Sequence, residues 1–123
     1  MSHFTRVRTQ LRDLETVRQA LMKLGYSVRT GEVRGYATAT TTADLVVEVG
    51  NGYDVGFRYD GKAVTMVGDF WGLKVKPEEF VGKVTQQYAY LTVTSQAAAQ
   101  GWQVVGEEQQ SDGSIKLIVE RWR

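Results

Sequence analysis

Residues 45–66 read LVVEVGNGYDVGFRYDGKAVTM, and this stretch decides the fold. Apolar side chains alternate with polar ones in three short runs, which is the period of a strand with one buried face. Asn51-Gly52 separates the first two runs and Asp60-Gly61 separates the next two. Both dipeptides favour hairpin turns, since Asn, Asp and Gly tolerate the backbone conformations that such turns require. The stretch therefore predicts an antiparallel β-meander.

A short helix is predicted before the meander. Asp13 suits its N-cap, and Gly25 suits the left-handed residue that follows a helix. Between them, four apolar residues recur at helical spacing: Leu14, Val17, Leu21 and Leu24. These residues should face the sheet.

A long helix is predicted after the meander, from Pro77 to Gln100, and Gly101 should end it. Phe80, Val84 and Leu91 lie on its apolar stripe. Residues 92–94 are all β-branched, so we expect a bend or a break there.

The remaining segments complete an α+β fold. Further strands are predicted at residues 3–9, 27–34, 103–107 and 114–122, with a polar crossing at 38–42 and a loop at 68–72. We predict a single domain over residues 1–123, with a mainly antiparallel sheet of six to seven strands. One short and one long helix should pack on one face of that sheet. A ferredoxin-like half around the first helix is compatible with this order.

Composition argues against most kinds of chemistry. The chain has no cysteine, and its one histidine, His3, lacks the neighbours that a metal site or a catalytic triad needs. The glycines at 50–56 lie on a hairpin and not at a strand-to-helix turn, so no phosphate loop is predicted. We therefore expect no cofactor, no metal and no catalytic residues. No run of ~20 apolar residues predicts a membrane span, and a cytoplasmic or plastid-stroma setting is expected.

Charge is distributed unevenly along the chain. Residues 1–36 hold seven basic and three acidic residues, a net charge of +4, whereas the remainder has a net charge of −3. If the first two strands pair, several of these cations should gather on one surface: Arg6, Arg8, Arg12 and Arg34. Such a surface would suit an acidic protein or a phosphate backbone.

Two further groups are candidate contact sites. Asp69, Phe70 and Trp71 form a loop that either lines a pocket or plugs one end of the sheet, and we favour the plug. Lys83, Gln86 and Tyr90 share one flank of the long helix. That flank suits a contact with another protein or a hydrogen bond to the sheet, or it places a tyrosine at the edge of the core.

Several motifs together resemble a known family. They are Met1-Ser2-His3-Phe4, Arg12-Asp13-Leu14, Val33-Arg34-Gly35-Tyr36, Asn51-Gly52-Tyr53-Asp54-Val55-Gly56-Phe57, Val84-Thr85-Gln86-Gln87-Tyr88-Ala89-Tyr90, Asp112-Gly113-Ser114-Ile115 and Arg121-Trp122. In this order the chain resembles the hypothetical chloroplast reading frame thirty-five family of cyanobacteria and algal plastids. The segment at 70–75 is shorter here, so the resemblance does not extend to Trp71. It implies a role in photosynthetic cells but no reaction and no catalytic residues.

The functional hypothesis is a non-enzymatic accessory or regulatory protein of photosynthetic cells that acts by binding another protein. The basic N-terminal third favours an acidic partner, for which a ferredoxin-like protein is the candidate. A nucleic-acid-binding regulator is the second hypothesis. A small-molecule or pigment-binding domain, or an enzyme, comes third, and a deep pocket with convergent polar groups would favour it.

Overall fold

A computed structural model describes residues 4–121. Its elements, in chain order, are β1 (Thr5–Arg8), α1 (Leu14–Lys23), β2 (Val28–Arg34), β3 (Thr40–Gly50), β4 (Tyr53–Tyr59), β5 (Val64–Gly68), α2 (Phe70–Leu73), α3 (Pro77–Ala99), β6 (Trp102–Gln109) and β7 (Ile115–Arg121). His3 and Trp122, which the sequence placed at strand ends, lie outside the described residues.

The strands form two separate antiparallel sheets. The larger has the order β1-β5-β4-β3-β2, and the smaller is the β6–β7 hairpin. The α+β class is confirmed, but the seven strands do not share one sheet. Asn51 and Gly52 have φ values of 56° and 76°, which confirms a turn with two left-handed residues between β3 and β4.

The first two strands do not pair. β1 pairs with β5, while β2 pairs with β3, so the two lie at opposite edges of the sheet. Because each of the four pairings is antiparallel, β1 and β2 run parallel, with three strands between them. A ferredoxin-like half has one strand between its two parallel strands, so this prediction is wrong. The segment at 38–42 is not a crossing either, because β3 already begins at Thr40 and forms a hairpin with β2.

Helices α1 and α3 cover one face of the larger sheet. Val17 and Leu21 of α1 and Phe80 and Val84 of α3 are buried there. The ring centroids of Phe80 and Phe57, on β4, are 6.4 Å apart. The predicted stripe is confirmed in these residues, and three others lie partly buried against the same core: Leu14, Leu24 and Leu91.

The long helix runs unbroken past its β-branched residues, so the predicted break is wrong. The hydroxyl of Thr92 donates to the carbonyl oxygen of Tyr88 at 2.9 Å. The hydroxyl of Thr94 donates to the carbonyl oxygen of Leu91 at 3.1 Å. These bonds satisfy the threonines within the helix. Gly25 and Gly101 have φ values of 97° and 85°, which confirms both as residues that end a helix. No helix within residues 4–121 combines the length and apolarity needed to cross a membrane.

The opposite face of the sheet is covered by part of the sheet itself. The β2–β3 pairing shifts register between Arg29 and Gly31, and residues 31–43 beyond that bulge fold back across β4 and β5. We call these residues the hairpin arm. Val33 and Ala43 of the arm form a second apolar cluster with Val46 of β3 and Val67 of β5, and Phe4 packs against it.

Gly56 on β4 allows the arm to lie close to the sheet. A Cβ atom at this position would come within 2.5 Å of Val33 Cγ2 and 2.6 Å of Ala43 Cβ. Glycine in a strand interior commonly marks such a close approach. Gly82, in the middle of α3, has open space where a Cβ atom would lie, and it therefore provides a matched control.

The two glycines should respond to alanine with opposite signs. Gly56→Ala should lower the free energy of unfolding by ~1–3 kcal/mol, since the added methyl overpacks the arm. Gly82→Ala should raise it by ~0.5–1 kcal/mol, because alanine is the better residue in a helix interior. Urea unfolding of both variants measures this. A Gly56→Ala protein as stable as the parent would contradict the position of the arm.

Candidate functional site

Two buried carboxylates lie beneath the hairpin arm. Asp54 on β4 and Asp69 at the end of β5 are the buried charged residues among those described. Val55 and Phe57 of β4 face the helices, and alternation along the strand turns Asp54 to the face that the arm covers. A buried carboxylate is tolerated only where donors satisfy it. The hydrogen-bond donors to Asp54 and Asp69 therefore determine what each carboxylate does in the structure.

Asp54 binds the arm to the centre of the sheet. Its Oδ2 atom accepts from the Arg34 backbone N–H at 2.8 Å, from Arg34 Nε at 2.8 Å and from Arg29 Nη2 at 3.0 Å. Its Oδ1 atom accepts from Arg34 Nη2 at 3.0 Å. Arg34 also pairs with the exposed Glu48 at 3.1 Å. The two arginines of β2 are thus bound to a carboxylate on β4, two strands away.

The donors around Asp54 also set its protonation. Burial by itself would raise its pKa, but the hydrogen bonds from the Arg34 side chain and backbone, with the charges of Arg34 and Arg29, outweigh that effect. The pKa of Asp54 therefore lies below its ordinary value of 3.8, and the carboxylate stays ionised at neutral pH.

Asp69 joins the tip of the arm to helix α2. Its Oδ2 atom accepts from the backbone N–H of Tyr36 at 3.0 Å, and its Oδ1 atom accepts from that of Gly72 at 3.4 Å. This second bond makes Asp69 the N-cap of α2, a helix that replaces the predicted loop at 68–72. One carboxylate thus holds two chain segments at one end of the molecule.

Each of these two segments exposes an aromatic side chain. Trp71 is 73% exposed and Tyr36 is 46% exposed. Phe70, between Asp69 and Trp71, is buried in the core on the helix side. The predicted triplet of Asp69, Phe70 and Trp71 is therefore divided among a buried anchor, a core residue and a surface residue. We call Tyr36 and Trp71 the aromatic pair.

The four arginines predicted to share a surface are separated. Arg6 and Arg8 lie on the edge strand β1, and Arg34 lies on β2 in its bonds with Asp54 and Glu48. Arg12 lies before α1, where its backbone N–H donates to the Tyr88 hydroxyl at 3.3 Å. The prediction that these arginines share one surface is wrong, because it assumed that β1 and β2 pair. Only Arg6 and Arg8 remain neighbours, on the same side of β1.

The predicted flank of α3 holds the C-terminal hairpin. The Gln86 side chain donates to the carbonyl oxygen of Gly113 in the β6–β7 turn. Tyr90 bonds to Glu107 on β6, and this hydrogen bond raises the pKa of the tyrosine above its ordinary value. An isolated hairpin is marginally stable, so these contacts help to fix it on the helix. Lys83 remains exposed on the same flank.

The hydrogen bonds of the two buried carboxylates attach chain segments to one another. The donors to Asp54 and Asp69 come from the protein's own backbone and from two arginines, so these carboxylates have bonds that hold the fold together. Within residues 4–121, no group of three or more potential ligating side chains is placed to hold a metal ion.

Comparison with known proteins places the chain in a family. The model of a family described as a protein of unknown function, DUF1257, matches residues 20–118. The chain is 37% identical to an uncharacterized protein ycf35 of Guillardia theta, over all of this chain and 99% of the relative. It is 31% identical to that of Pyropia yezoensis, with 99% and 98% covered, and 30% identical to that of Cyanophora paradoxa, with 100% and 99% covered. The chain belongs to the DUF1257 family.

The resemblance found in the sequence is thus confirmed, and no solved structure matches the chain. The span matched by the DUF1257 model contains both buried carboxylates and the aromatic pair, whereas β1 precedes it. The relatives cover β1 as well, since their matches extend over nearly the whole chain. The names of this family and of these relatives assign no activity.

Sequence reasoning missed the parts played by Asp54 and Tyr36. A signal for Asp54 was present, because Gly56 follows it at the next position on the same strand face. A polar residue and a glycine on one face of a buried strand indicate that another segment lies close above them. No comparable signal marked Tyr36, since its attachment to Asp69 joins residues 33 positions apart in the chain.

The charge of Asp54 should make stability depend on pH. Its folded-state pKa lies below 3.8, so the unfolded chain takes up the proton first as the pH falls. The stabilisation is therefore complete above about pH 4 and is lost as the pH falls through the folded-state value. Asp54→Asn should lower the free energy of unfolding at pH 7 by about 1.5–3 kcal/mol, the range for hydrogen bonds to charged groups. Denaturant titrations from pH 7 to pH 3 should show this difference shrinking.

Glu48→Gln is the matched control, because it removes the exposed partner of the same arginine. Its effect at pH 7 should stay below about 1 kcal/mol, as for other solvent-exposed ion pairs. Equal losses from the two substitutions, or a difference for Asp54→Asn that does not change with pH, would contradict the part assigned to the buried carboxylate.

Proposed function

We propose that this DUF1257 protein acts by binding another protein and performs no chemistry of its own. The observation that supports this is the aromatic pair, Tyr36 and Trp71, on two segments held by one buried carboxylate. Tryptophan and tyrosine are the residues most enriched among those that dominate protein interfaces. A tryptophan with 73% of its surface exposed has a large apolar area available for burial by a partner.

The segments that carry the aromatic pair are already ordered. Tyr36 starts a tight turn in which the backbone N–H of Ala39 donates to its carbonyl oxygen at 3.0 Å, and Ala37 in that turn has a φ of 56°. A left-handed alanine costs free energy and persists only where its surroundings impose it. On the other segment, Gly72 lies directly against the ring of Tyr53. Fixed segments lose little entropy on binding, which favours recognition.

The buried carboxylates support a non-enzymatic role. General acid–base catalysis needs a group that can exchange a proton with a substrate. Asp54 instead has its pKa lowered by the arginines it holds, and Asp69 accepts from two backbone N–H groups. Both are engaged in holding the hairpin arm and its tip.

The uneven charge supports an acidic partner. The net charge of +4 in residues 1–36 includes Arg6 and Arg8 on β1, and a cationic surface speeds association with an acidic protein. A ferredoxin-like protein is the candidate that we keep for this part of the proposal. The resemblance to a family of cyanobacteria and algal plastids favours an accessory or regulatory role in a photosynthetic cell.

Replacement of the aromatic pair tests the proposal. The tagged protein, the Tyr36→Ala/Trp71→Ala double variant and the Tyr59→Ala variant would be used to capture partners from extracts of a cyanobacterium or an alga. Tyr59 is the matched control, because it is 43% exposed at the opposite end of β4. Proteins recovered with the parent and with Tyr59→Ala should be lost from the double variant. Loss of an interface aromatic that contributes ~2 kcal/mol lowers affinity about 30-fold.

The thermal unfolding of all three proteins should be compared, since surface substitutions away from the core change stability little. If the double variant is folded and still recovers the same partners in the same yield, the aromatic pair is not the binding surface.

A further inference from the structure

Strand β1 has one edge that pairs with no described strand. It lies at the end of the larger sheet, and its four residues pair on one side only, with β5. The backbone N–H of Thr9 donates to the carbonyl oxygen of Val64 at 3.2 Å, which sets the alternation of the ladder. Thr5 and Val7 therefore turn their N–H and C=O groups to β5, and Arg6 and Arg8 turn theirs outward. The outer edge of β1 thus presents two sets of backbone donors and acceptors.

The two sides of this edge differ in chemistry. Val7 contacts the core on the helix side, so Arg6 and Arg8 project on the opposite side of the strand. The residues that face them on β5 are Val67 and Thr65, and both are uncharged. Within residues 4–121 the ion pairs take their cations from Arg18, Arg29 and Arg34, and neither arginine of β1 takes part. Their charges are therefore available to an incoming acidic group.

There is room beside the edge for another strand. An open concavity of about 710 Å³ is bounded by Val7, by α3 at Val81 and Thr85, and by the β6–β7 turn at Gly113. Its lining is mainly apolar, although Glu78, Lys83 and Asp112 also border it. A strand added to β1 would lie ~4.8 Å away from it. One of its faces would then lie toward the concavity and the other on the side of Arg6 and Arg8. Because side chains alternate along a strand, an added segment should alternate apolar residues with acidic ones.

We infer that the outer edge of β1 binds an extended segment of another protein, in which acidic residues alternate with apolar ones, by adding it as a strand. This inference rests on the proposed role in protein binding but uses a surface distinct from the aromatic pair. A second copy of this chain is the wrong occupant. Pairing β1 with itself would set arginines opposite arginines, and like charges in facing positions oppose strand pairing.

Proline provides a direct test of the backbone contact. The N–H of Arg8 points outward, so Arg8→Pro removes a donor from the open edge and leaves the bonds to β5 in place. Arg8→Thr is its matched control, because it removes the same charge and keeps the N–H. The probe is a short synthetic peptide, acetylated and amidated at its ends, that alternates glutamate with valine. Its binding to the full chain and to both variants would be measured by fluorescence anisotropy.

The peptide should bind the parent, and affinity should fall as salt is added. Arg8→Thr should weaken binding, and Arg8→Pro should weaken it by at least a further ~5-fold, since a strand partner loses a backbone bond. A peptide with glutamine in place of glutamate should bind at least ~10-fold more weakly. No binding of the glutamate peptide to the parent at millimolar concentration would overturn the inference.

N-methylated peptides keep the test decisive if Arg8→Pro fails to fold. One peptide is methylated on its glutamate nitrogens and the other on its valine nitrogens, and only one of these sets can face β1. One of the two peptides should therefore lose binding while the other keeps it. Equal binding by both, or by Arg8→Pro and Arg8→Thr, would show that charge and not strand addition attracts the peptide.

Two further outcomes distinguish strand addition at β1 from nucleic-acid binding and from binding at the aromatic pair. If generic RNA binds in a manner that depends on Arg6 and Arg8 while the peptide does not, the edge serves nucleic acid and the inference fails. The Tyr36→Ala/Trp71→Ala variant should bind the peptide as the parent does. Loss of partner capture in that variant with peptide binding intact supports both proposals. Loss of capture in that variant, when the peptide fails to bind the parent, overturns only the edge.

Discussion

The bond between Asp54 and the arginines of β2 is the interaction on which the rest of the structure depends. Taking a carboxylate out of water costs several kcal/mol, and it is tolerated here because four hydrogen bonds, three of them from Arg34, surround it. The bonds come from a strand two places away in the sheet. They therefore hold the hairpin arm across the face of β4, where it buries Val33 and Val46.

This arrangement gives a five-stranded sheet two buried faces with helices on only one of them. The helices cover one face, and the sheet's own arm covers the other. An antiparallel sheet commonly leaves its second face to water, so the arm here takes the place of a second layer. This arrangement requires the arm to pack closely on the sheet. Gly56 makes the close packing possible, because the absence of a side chain leaves space for Val33 and Ala43. The arm, Asp54 and Gly56 therefore act together in covering this face of the sheet.

The two surfaces that we propose for binding, the aromatic pair and the outer edge of β1, are positioned by the same arm. At the tip of the arm, the backbone of Tyr36 is bonded to Asp69. Asp69 also bonds to the segment that contains Trp71, so the two segments lie side by side. Phe4, just before β1, packs against the apolar cluster under the arm, so the edge strand is held in place from below. The arm does not pair with β1, and no strand within residues 4–121 pairs with the outer edge of β1. The position of the aromatic pair and the support of β1 therefore both depend on contacts of the arm.

Local patterns determined the elements of this protein, and long-range contacts decided their arrangement. Alternation from residue 45 to residue 66, the two turn dipeptides and the helix stripes act over a few residues, and the structure contains the meander and both helices they predict. Short-range signals could not predict that β1 lies at the edge opposite β2, or that the seven strands form two sheets and not one. The choice of partner strand depends on residues tens of positions apart. The same limit explains the site. The sequence contained Asp54, Asp69, Arg34 and Trp71. Only the tertiary structure showed that the two carboxylates anchor the arm, that Arg34 carries the arm's bonds to Asp54, and that Trp71 lies at the surface. A carboxylate's role depends on the donors that folding brings to it, and those of Asp54 lie 20 and 25 positions away in the chain.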